Sequence, residues 1–285
     1  MPAQILNGNL IARQLRADIR HAVEKRTGEG KRPPGLAVIL VGNDPASLVY
    51  VGAKRKDCER VGFHSIVQHL SDDVEQSDLE ERVIALNEDP GIDGVLVQSP
   101  LPDHIDEDRI IDVIDPNKDV DGFHPYNIGR LAVRRPTMRS CTPKGVMQLI
   151  ERTDVDPMGC NATVIGASNH LGRPMGLELL LAGATVTMAH KFTRDTAAMA
   201  RSADILISAV GKRGLVKPDW VKPGAVVIDV GITRDEEGKL HGDVMFGEVR
   251  EIASWITPVP GGVGPMTRVA LLQNTLKVCH SRDAA

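Results

Sequence analysis

Aromatic residues are scarce in this chain of 285 residues, which has four Phe, two Trp and two Tyr. With so few rings, a buried core has to be built from Val, Ile, Leu and Ala, as parallel sheets usually are. The chain also lacks a C-x-x-C pair, and its four cysteines are scattered: Cys58, Cys141, Cys160 and Cys279. This pattern indicates core thiols in a reducing compartment rather than a metal site or a disulfide framework.

Long apolar runs and runs of like charge are missing as well. No stretch reaches the roughly 18 apolar residues of a transmembrane helix. The first residues show no apolar core followed by a small-residue cleavage site, so no secretory signal is expected. The net charge is −4, from 34 basic and 38 acidic residues. We therefore expect a cytoplasmic protein that binds neither nucleic acid nor membranes.

The first half of the chain alternates β-branched segments with amphipathic ones. Strand patterns occur at residues 35–41, 64–70 and 94–98, and helix patterns at residues 45–61 and 76–88. Asp44 and Pro45 are residue types preferred at the N-cap and the first position of a helix. The resulting βαβαβ order predicts parallel strands with right-handed crossovers.

A proline-rich, irregular segment at residues 99–142 is interpreted as a linker or a functional loop system. Thr142 and Pro143 predict the N-cap and first residue of a helix that ends near residue 152. A second alternating series follows. Its predicted strands are residues 162–166, 184–189, 205–210 and 225–230, and its predicted helices are residues 172–181, 193–202 and 267–280.

Both series together predict an α/β protein of two α/β domains with a cleft between them, the second of which is Rossmann-like. The first domain is placed at residues 1–140 and the second at residues 141–266. The C-terminal segment, residues 267–285, is expected to pack back on the first domain.

A glycine-containing turn joins a predicted strand and helix of the second domain. It carries Gly166, Ala167 and Ser168, with Gly172 six residues after the first glycine. Dinucleotide folds bind phosphate here, because small residues let the backbone approach the pyrophosphate at a helix N-terminus. The spacing differs from G-x-G-x-x-G, so a plain turn that requires glycine is the alternative.

The next predicted strand ends without the acidic residue that usually binds the ribose 2′-OH of NAD. His190, Lys191 and Arg194 stand there instead. Their positive charge favours the 2′-phosphate of NADP, and the alternative is a solvated basic loop. The acidic Asp229 closes a different predicted strand.

Three features of the first domain carry polar chemistry. Tyr50 and Lys54 are four residues apart and share one helix face, where neighbouring cations favour a neutral amine on Lys54. The alternative is a solvated basic face. Gln98 ends a predicted strand at the carboxyl edge of the sheet, where open α/β sheets bind ligands. The alternative is that its side chain bonds only to backbone. Asp119 and Asp121 share a face of an extended segment, or they belong to a turn.

The Pro- and Gly-rich residues 257–267 form either a plain loop or the rigid wall of a site, and a cis X-Pro bond is possible there.

Taken together, these motifs resemble the bifunctional methylenetetrahydrofolate dehydrogenase/methenyltetrahydrofolate cyclohydrolase family of bacterial type. The resemblance runs along essentially the whole chain. It rests on six motifs in the family's order: Tyr50-Val-x-x-Lys54, Val97-Gln98-Ser-Pro-Leu-Pro102, Pro116-x-Lys-Asp-Val-Asp121-Gly122, Cys141-Thr-Pro-x-Gly145, Gly166-x-Ser168 and Pro258-Val-Pro-Gly-Gly-Val-Gly-Pro265-Met-Thr267.

The resemblance implies oxidation of 5,10-methylenetetrahydrofolate to the methenyl form by NADP, and hydrolysis of that product to 10-formyltetrahydrofolate in one shared site. These reactions belong to one-carbon metabolism and supply purine biosynthesis. A homodimer joined through the cofactor domain is also implied. Neither the motifs nor the resemblance includes a metal site.

The resemblance also implies roles for single residues. Lys54 is expected to act as general acid or base, chiefly in the hydrolysis, with Gln98 orienting it. Tyr50 is expected to stack on the folate ring system and Asp121 to bind the polar edge of the pterin. Further substrate contacts are expected from Pro260 and Gly261. Cofactor contacts are expected from Gly166, Ala167, Ser168, Arg173, His190, Lys191 and Ile232.

One position departs from many relatives, which have Arg where this chain has Ala167. Arg173, Lys191 or Arg194 could supply the positive charge for the 2′-phosphate instead. The alternatives for the whole chain are a dehydrogenase without hydrolase activity, an NAD-dependent enzyme, and a nucleotide-binding regulator that has lost catalysis.

Overall fold

The computed structural model describes residues 1–283. Its strands are β1 (Gln4–Ile5), β2 (Gly35–Val41), β3 (His64–Leu70), β4 (Gly94–Gln98), β5 (Asn161–Ile165), β6 (Thr185–Ala189), β7 (Ile205–Ser208), β8 (Val226–Asp229), β9 (Thr233–Arg234), β10 (Leu240–His241) and β11 (Trp255–Ile256). Its helices are α1 (Gly8–Gly28), α2 (Pro45–Val61), α3 (Gln76–Glu88), α4 (Glu107–Val113), α5 (Pro125–Ala132), α6 (Cys141–Ile150), α7 (Gly172–Leu181), α8 (Thr196–Arg201), α9 (Phe246–Val249) and α10 (Val263–Asp283).

The chain divides into two compact units. The three-stranded unit comprises Arg13–Arg130, Pro136–Cys141 and the residues from Arg268 onward. The six-stranded unit comprises Met1–Ala12, Leu131–Arg135 and Thr142–Thr267. The first residues therefore depart from the predicted limits, because β1 pairs in parallel with β11 instead of joining the sheet of the 1–140 segment. Residues 284 and 285 of the predicted C-terminal segment lie outside the described residues.

The three-stranded unit has the strand order β3-β2-β4, with both pairs parallel. All seven residues of the central strand β2 are buried, which explains its unbroken apolar sequence. Aliphatic side chains of the sheet and of α3, such as Ile39, Val83 and Val95, form the core of this unit. The predicted βαβαβ series from residue 35 to residue 98 is thus confirmed, including the bounds of all five elements.

Helix α2, which carries Tyr50 and Lys54, is fixed at both ends. Asp44 is its N-cap and accepts the Ser47 N–H at 2.7 Å, and Pro45 occupies the first turn. At the other end, Gly62 adopts a left-handed conformation with φ of 79°, and its N–H donates to the Glu59 carbonyl at 3.3 Å. The prediction of Asp44 as N-cap and Pro45 as the first helical residue is therefore confirmed, whereas the C-terminal Gly62 was not predicted.

The six-stranded unit has the order β1-β11-β8-β7-β5-β6, and every pair is parallel. From β5 the chain moves to β6 on one side and then to β7 on the other. The order therefore reverses between β5 and β7, which is the topological switch point where such sheets bind ligands at their carboxyl edge. The core is aliphatic, with Leu206, Val227 and Ile256 fully buried. The predicted Rossmann-like architecture is confirmed.

Several local predictions were wrong. The segment at residues 99–142 is not wholly irregular, since it contains α4 and α5. Thr142 does not cap α6, because the helix begins one residue earlier, where the Cys141 N–H donates to the Asp121 carbonyl. Thr142 instead bonds the Thr267 hydroxyl at 3.0 Å. Helix α8 begins three residues later than predicted, because Asp195 caps it by accepting the Ala198 N–H.

The short strands β1 and β11, the hairpin of β9 and β10, and helix α1 have no counterpart in the predictions. Two X-Pro bonds are cis, Ser99-Pro100 and Val259-Pro260. No helix within residues 1–283 combines the length and apolar character that crossing a bilayer requires. In the same residues, no three His, Cys, Asp or Glu side chains are grouped so that they could hold a metal ion.

Candidate active site

Lys54 and Gln98 meet at the carboxyl end of β4. The Lys54 Nζ donates a hydrogen bond to the Gln98 Oε1 at 2.9 Å, and both side chains are half-buried. Lys54 comes from the third turn of α2 and Gln98 is the last residue of β4. An amide carbonyl accepts a hydrogen bond from an ammonium or from a neutral amine. Gln98 therefore positions the Nζ through a neutral group. A carboxylate in its place would favour the ammonium form.

The orientation of the Gln98 amide follows from its second hydrogen bond. Its Nε2 donates to the Ser99 carbonyl at 2.7 Å, so the amide oxygen is the atom turned to Lys54. The same carbonyl accepts the buried Ser47 hydroxyl at 3.4 Å, and the Ser99 hydroxyl donates to the Glu107 carboxylate. The Ser99 carbonyl thus determines which atom of the Gln98 amide is directed to Lys54.

Tyr50 lies one turn before Lys54 on α2, with 40 % of its surface exposed. The shared face predicted for the two residues follows from the confirmed helix. Of the cations beside Lys54, Arg55 pairs with Glu59 at 3.2 Å, and Lys56 is exposed. Arg55 and Lys56 thus belong to a solvated basic face, the alternative interpretation of this helix. Lys54 itself is half-buried and hydrogen-bonded.

Asp119 and Asp121 have different surroundings, although they are two residues apart. Asp119 is buried and accepts the backbone N–H groups of Gly122, Phe123 and His124. It also accepts the Asn127 amide, and burial is the main cause that raises its pKa. Asp119 therefore holds the turn. Asp121 is half-exposed and lines a cavity of about 20 Å³ together with Ser99 and Glu107.

The turn after β5 is closely packed. A Cβ on Gly172 would lie 2.1 Å from the Gly166 carbonyl oxygen, and a Cβ on Gly166 would lie 2.4 Å from the Ala209 carbonyl oxygen. Gly166 also has a φ of 121°. These two contacts explain why the sequence has glycine at both positions, six residues apart. The Ser168 carbonyl accepts the Arg173 N–H at 3.0 Å, which ties the turn to the start of α7.

Basic side chains flank this turn. The Arg173 Nε donates to the Ala167 carbonyl at 3.1 Å. After β6, the His190 N–H donates to the Thr193 hydroxyl at 2.9 Å, and the His190 Nδ1 accepts the Phe192 N–H at 3.2 Å. Lys191 is exposed, with its Nζ 5.0 Å from the centre of the Phe192 ring.

Ile232, Pro260 and Gly261 belong to the six-stranded unit, whereas Tyr50, Lys54, Gln98 and Asp121 belong to the three-stranded unit. Ile232 follows β8 and is 45 % exposed. Gly261 has a φ of 103°, and a Cβ there would lie 2.9 Å from the Asn9 Nδ2. Glycine is therefore needed at position 261 by its conformation and by its neighbour.

The sequence motifs assign no role to two further aspartates, although Asp229 was recognised as the end of a predicted strand. Asp229 and Asp243 are buried together at the carboxyl edge of the six-stranded sheet. Burial raises the pKa of Asp229 to about 7, although backbone N–H groups that it accepts act in the opposite direction. Asp229 also lines a cavity of about 520 Å³ with Arg213, His241 and Val259. The available signal was an aspartate ending a core strand, which is unusual unless its carboxylate is hydrogen-bonded.

Comparisons with known proteins match both units. The family model of the tetrahydrofolate dehydrogenase/cyclohydrolase catalytic domain matches residues 6–121. The model of the tetrahydrofolate dehydrogenase/cyclohydrolase NAD(P)-binding domain matches residues 140–283.

Solved structures of similar proteins cover the whole length. The bifunctional methylenetetrahydrofolate dehydrogenase/cyclohydrolase of Campylobacter jejuni is 45 % identical, with a TM-score of 0.96 over 98 % of this chain and 99 % of that one. The Trypanosoma brucei enzyme, solved with NADP and an inhibitor, is 38 % identical, with a TM-score of 0.96 over the full length of both chains. A 5,10-methylenetetrahydrofolate dehydrogenase of the silkworm Bombyx mori is 40 % identical, with a TM-score of 0.94 over 99 % of this chain and 100 % of that one.

Proposed function

The chain belongs to the tetrahydrofolate dehydrogenase/cyclohydrolase family, and we propose that Lys54, oriented by Gln98, carries the proton transfers of its cyclohydrolase reaction. The protein is an NADP-dependent enzyme of one-carbon metabolism. It oxidises 5,10-methylenetetrahydrofolate to 5,10-methenyltetrahydrofolate and hydrolyses the latter to 10-formyltetrahydrofolate. The observation that carries the proposal is the 2.9 Å hydrogen bond between the Lys54 Nζ and the Gln98 Oε1.

The hydrolysis requires a group that can both accept and donate a proton. Water adds to the cationic methenyl carbon and loses a proton. The resulting hydroxyl loses its remaining proton as it becomes the formyl carbonyl, and one carbon–nitrogen bond breaks as its nitrogen gains a proton. An amine that is held in place by a neutral partner can perform both transfers, because neither charge state breaks its hydrogen bond. Gln98 is such a partner, since the Ser99 carbonyl keeps the amide oxygen directed to Lys54.

The folate-binding role is proposed for Tyr50, Asp121, Pro260 and Gly261. The exposed ring of Tyr50 supports this role, because it offers an apolar face one turn from Lys54. The half-exposed carboxylate of Asp121 supports this role, because the backbone N–H groups of the turn donate to Asp119 and not to Asp121. A carboxylate can accept two adjacent N–H groups, the pattern that the edge of a pterin presents.

The turn after β5 fits a dinucleotide. The close approach of Gly166 and Gly172 leaves no room for side chains at either position, so a ligand can approach the backbone of the turn directly. We assign the cofactor contacts to Gly166, Ala167, Ser168, Arg173, His190, Lys191 and Ile232. When bound, NADP supplies the acceptor for the hydride that leaves the methylene carbon.

Lys191 is the proposed anchor of the 2′-phosphate. The side chains of His190 and Thr193 are engaged in the turn after β6, whereas the Lys191 ammonium is exposed next to it. Arg173 adds a second cation from the neighbouring turn, where Ala167 provides none.

The remaining proposals concern the location of the protein, its oligomeric state and its partners. We infer a cytoplasmic homodimer that binds tetrahydrofolate derivatives and neither nucleic acid nor membranes, and whose product serves purine biosynthesis. The absence of runs of like charge in the sequence supports the view that nucleic acid is not a partner.

The proposal is tested by replacing Lys54 with Met, which keeps the length of the aliphatic stem and removes the amine. We expect hydrolysis of methenyltetrahydrofolate, measured without nicotinamide, to fall by about 10² or more, the usual contribution of general acid–base catalysis. Lys56→Met is the matched control, since Lys56 is an exposed cation two residues away on the same helix. Near-normal hydrolysis by a folded Lys54→Met enzyme would refute the role.

A further inference from the structure

Two buried aspartates at the carboxyl edge of the six-stranded sheet are not among the residues assigned above to the folate or the cofactor. Asp229 ends β8 and is 3 % exposed, and Asp243 follows β10 and is 0 % exposed. Carboxylates are almost never buried this completely unless several donors satisfy their oxygens. The identity of these donors shows what the two side chains hold in place.

Asp243 holds the loop that follows β7. Its Oδ2 accepts the Val210 N–H at 2.8 Å and the Ser208 hydroxyl at 2.8 Å, and its Oδ1 accepts the Lys212 N–H at 2.7 Å. A single carboxylate therefore bonds the last residue of β7 and two residues of the loop that follows it. Two of the three are backbone donors, so the contact fixes the path of the chain and not only a side chain.

Asp229 holds the loop after β8 and also holds Asp243. Its Oδ1 accepts the Gly231 N–H at 3.1 Å and the Asp243 N–H at 2.9 Å, and its Oδ2 accepts the Val244 N–H at 2.9 Å. A Cβ on Gly231 would lie 2.0 Å from the Asp243 Oδ1, so the loop after β8 runs directly over the second carboxylate. The two aspartates thus join both loops into one hydrogen-bonded unit.

These loops lie at the switch point of the sheet. The carbonyl oxygen of Ala209, in the loop after β7, would be only 2.4 Å from a Cβ on Gly166, so this loop touches the proposed phosphate-binding turn. A Cβ on Gly211 would be 3.7 Å from the carbonyl oxygen of Ile232 in the loop after β8. The loops after β5, β7 and β8 are therefore neighbours along one edge.

The position of the loops after β7 and β8 indicates which half of the cofactor they would contact. In a dinucleotide fold, the adenosine ribose lies at the end of the strand that follows the phosphate turn, which here is β6. The loops after β7 and β8 lie on the opposite side of β5 and therefore face the nicotinamide half.

We propose that Asp243, held by Asp229, is a positioning residue of the dehydrogenase reaction, because it fixes the two loops that orient the nicotinamide half of NADP. This inference rests on the proposed cofactor site. Neither aspartate needs to touch the cofactor or the folate. Hydride transfer depends steeply on the placement of donor and acceptor carbons, so a loop displaced by about 1 Å can cost about 10²-fold in rate.

The test is Asp243→Asn, which keeps the shape of the side chain and replaces one acceptor oxygen with an NH₂ group that must face an N–H or O–H donor. We expect the dehydrogenase kcat to fall by about tenfold or more. Methenyltetrahydrofolate hydrolysis without nicotinamide is expected to stay within about twofold of wild type. The side chain of Asp243 bonds Ser208, Val210 and Lys212, its N–H donates to Asp229, and none of these residues is assigned to the folate. This split between two reactions of one protein separates positioning from a general loss of structure.

Asp204→Asn is the matched control. Asp204 precedes β7 at the amino end of that strand, where it accepts the Asn161 N–H at 2.9 Å and pairs with Lys222. An equal fall of the dehydrogenase kcat in both variants would overturn the inference, as would an unchanged kcat in Asp243→Asn.

A second variant decides the question if Asp243→Asn loses both activities. Ser208→Ala removes one donor to Asp243 and leaves both backbone bonds. It is expected to lower the dehydrogenase kcat at least threefold without changing hydrolysis, and parallel loss of the two activities would contradict the inference. Failure of the wild-type enzyme to reduce NADP would refute the proposed function instead, so the two failures are distinguishable.

Discussion

The group that faces the Lys54 amine carries no charge, and a single substitution can give it one. The Nζ of Lys54 lies 2.9 Å from the uncharged Gln98 oxygen. Gln98→Glu would put a negative charge at nearly the same place and favour the ammonium form of the lysine. With the dielectric constant of bulk water, the attraction at this distance is about 1.4 kcal/mol, and it is larger in a half-buried site.

An energy of about 1.4 kcal/mol corresponds to a tenfold change in an equilibrium. The fraction of free amine at a given pH is therefore expected to fall at least about tenfold in Gln98→Glu. The assay is the rate of methenyltetrahydrofolate hydrolysis as a function of pH, measured without nicotinamide. We expect a rate at neutral pH about tenfold lower than in wild type, with the rise in rate displaced to higher pH by about one unit or more.

Gln14→Glu makes the same change of charge at an exposed position of α1 and serves as the control. If Gln98→Glu kept the wild-type rate and the wild-type pH profile, the reasoning that a neutral partner leaves Lys54 free to exchange its proton would be refuted.

Two further predictions follow from other parts of the structure. Lys191→Gln is expected to raise the KM for NADP by about tenfold or more, the worth of a charge-assisted hydrogen bond to phosphate, and to leave the KM for NAD unchanged. Steady-state kinetics with both cofactors check this against the exposed control Lys217→Gln, and an equal effect on NAD would contradict it. The hydrogen bond from Arg26 lowers the pKa of Asp283 to about 2. Since that value lies below the pKa of an unfolded aspartate, about 3.9, the pair stabilises the fold above about pH 4 and ceases to do so as the pH falls towards 2. The difference between wild type and Asp283→Asn in urea unfolding should therefore be larger at pH 7 than at pH 2.5, and an equal difference at both would contradict this.

The regular parts of the fold were predictable because their signals are local. Strand β2 is an unbroken aliphatic run, and α2 begins at an Asp-Pro pair whose cap hydrogen bond the structure contains. The same rule failed at Thr142 and Pro143, where contacts from residues distant in the sequence decide where the helix begins. The Cys141 N–H donates to the Asp121 carbonyl, a contact that nothing near Thr142 in the sequence indicates.

The candidate site was accessible from the sequence only in part. The motifs predicted Lys54 and Gln98, but which Gln98 atom faces the lysine depends on the Ser99 carbonyl. The pairing of Asp229 with Asp243 could not be predicted, because hydrogen bonds across 14 or more residues leave no periodic signal. The two-residue strands β1 and β11 are too short to show an alternation, and they pair across most of the chain.

The two reactions are expected to depend on separate residues, hydrolysis on Lys54 and oxidation on Asp243. Both rates, NADP reduction with methylenetetrahydrofolate and hydrolysis of methenyltetrahydrofolate without nicotinamide, can be measured on one preparation each of Lys54→Met and Asp243→Asn. We expect opposite patterns: Lys54→Met loses hydrolysis far more than oxidation, and Asp243→Asn loses oxidation and keeps hydrolysis. Equal loss of both rates in each folded variant would contradict this expectation.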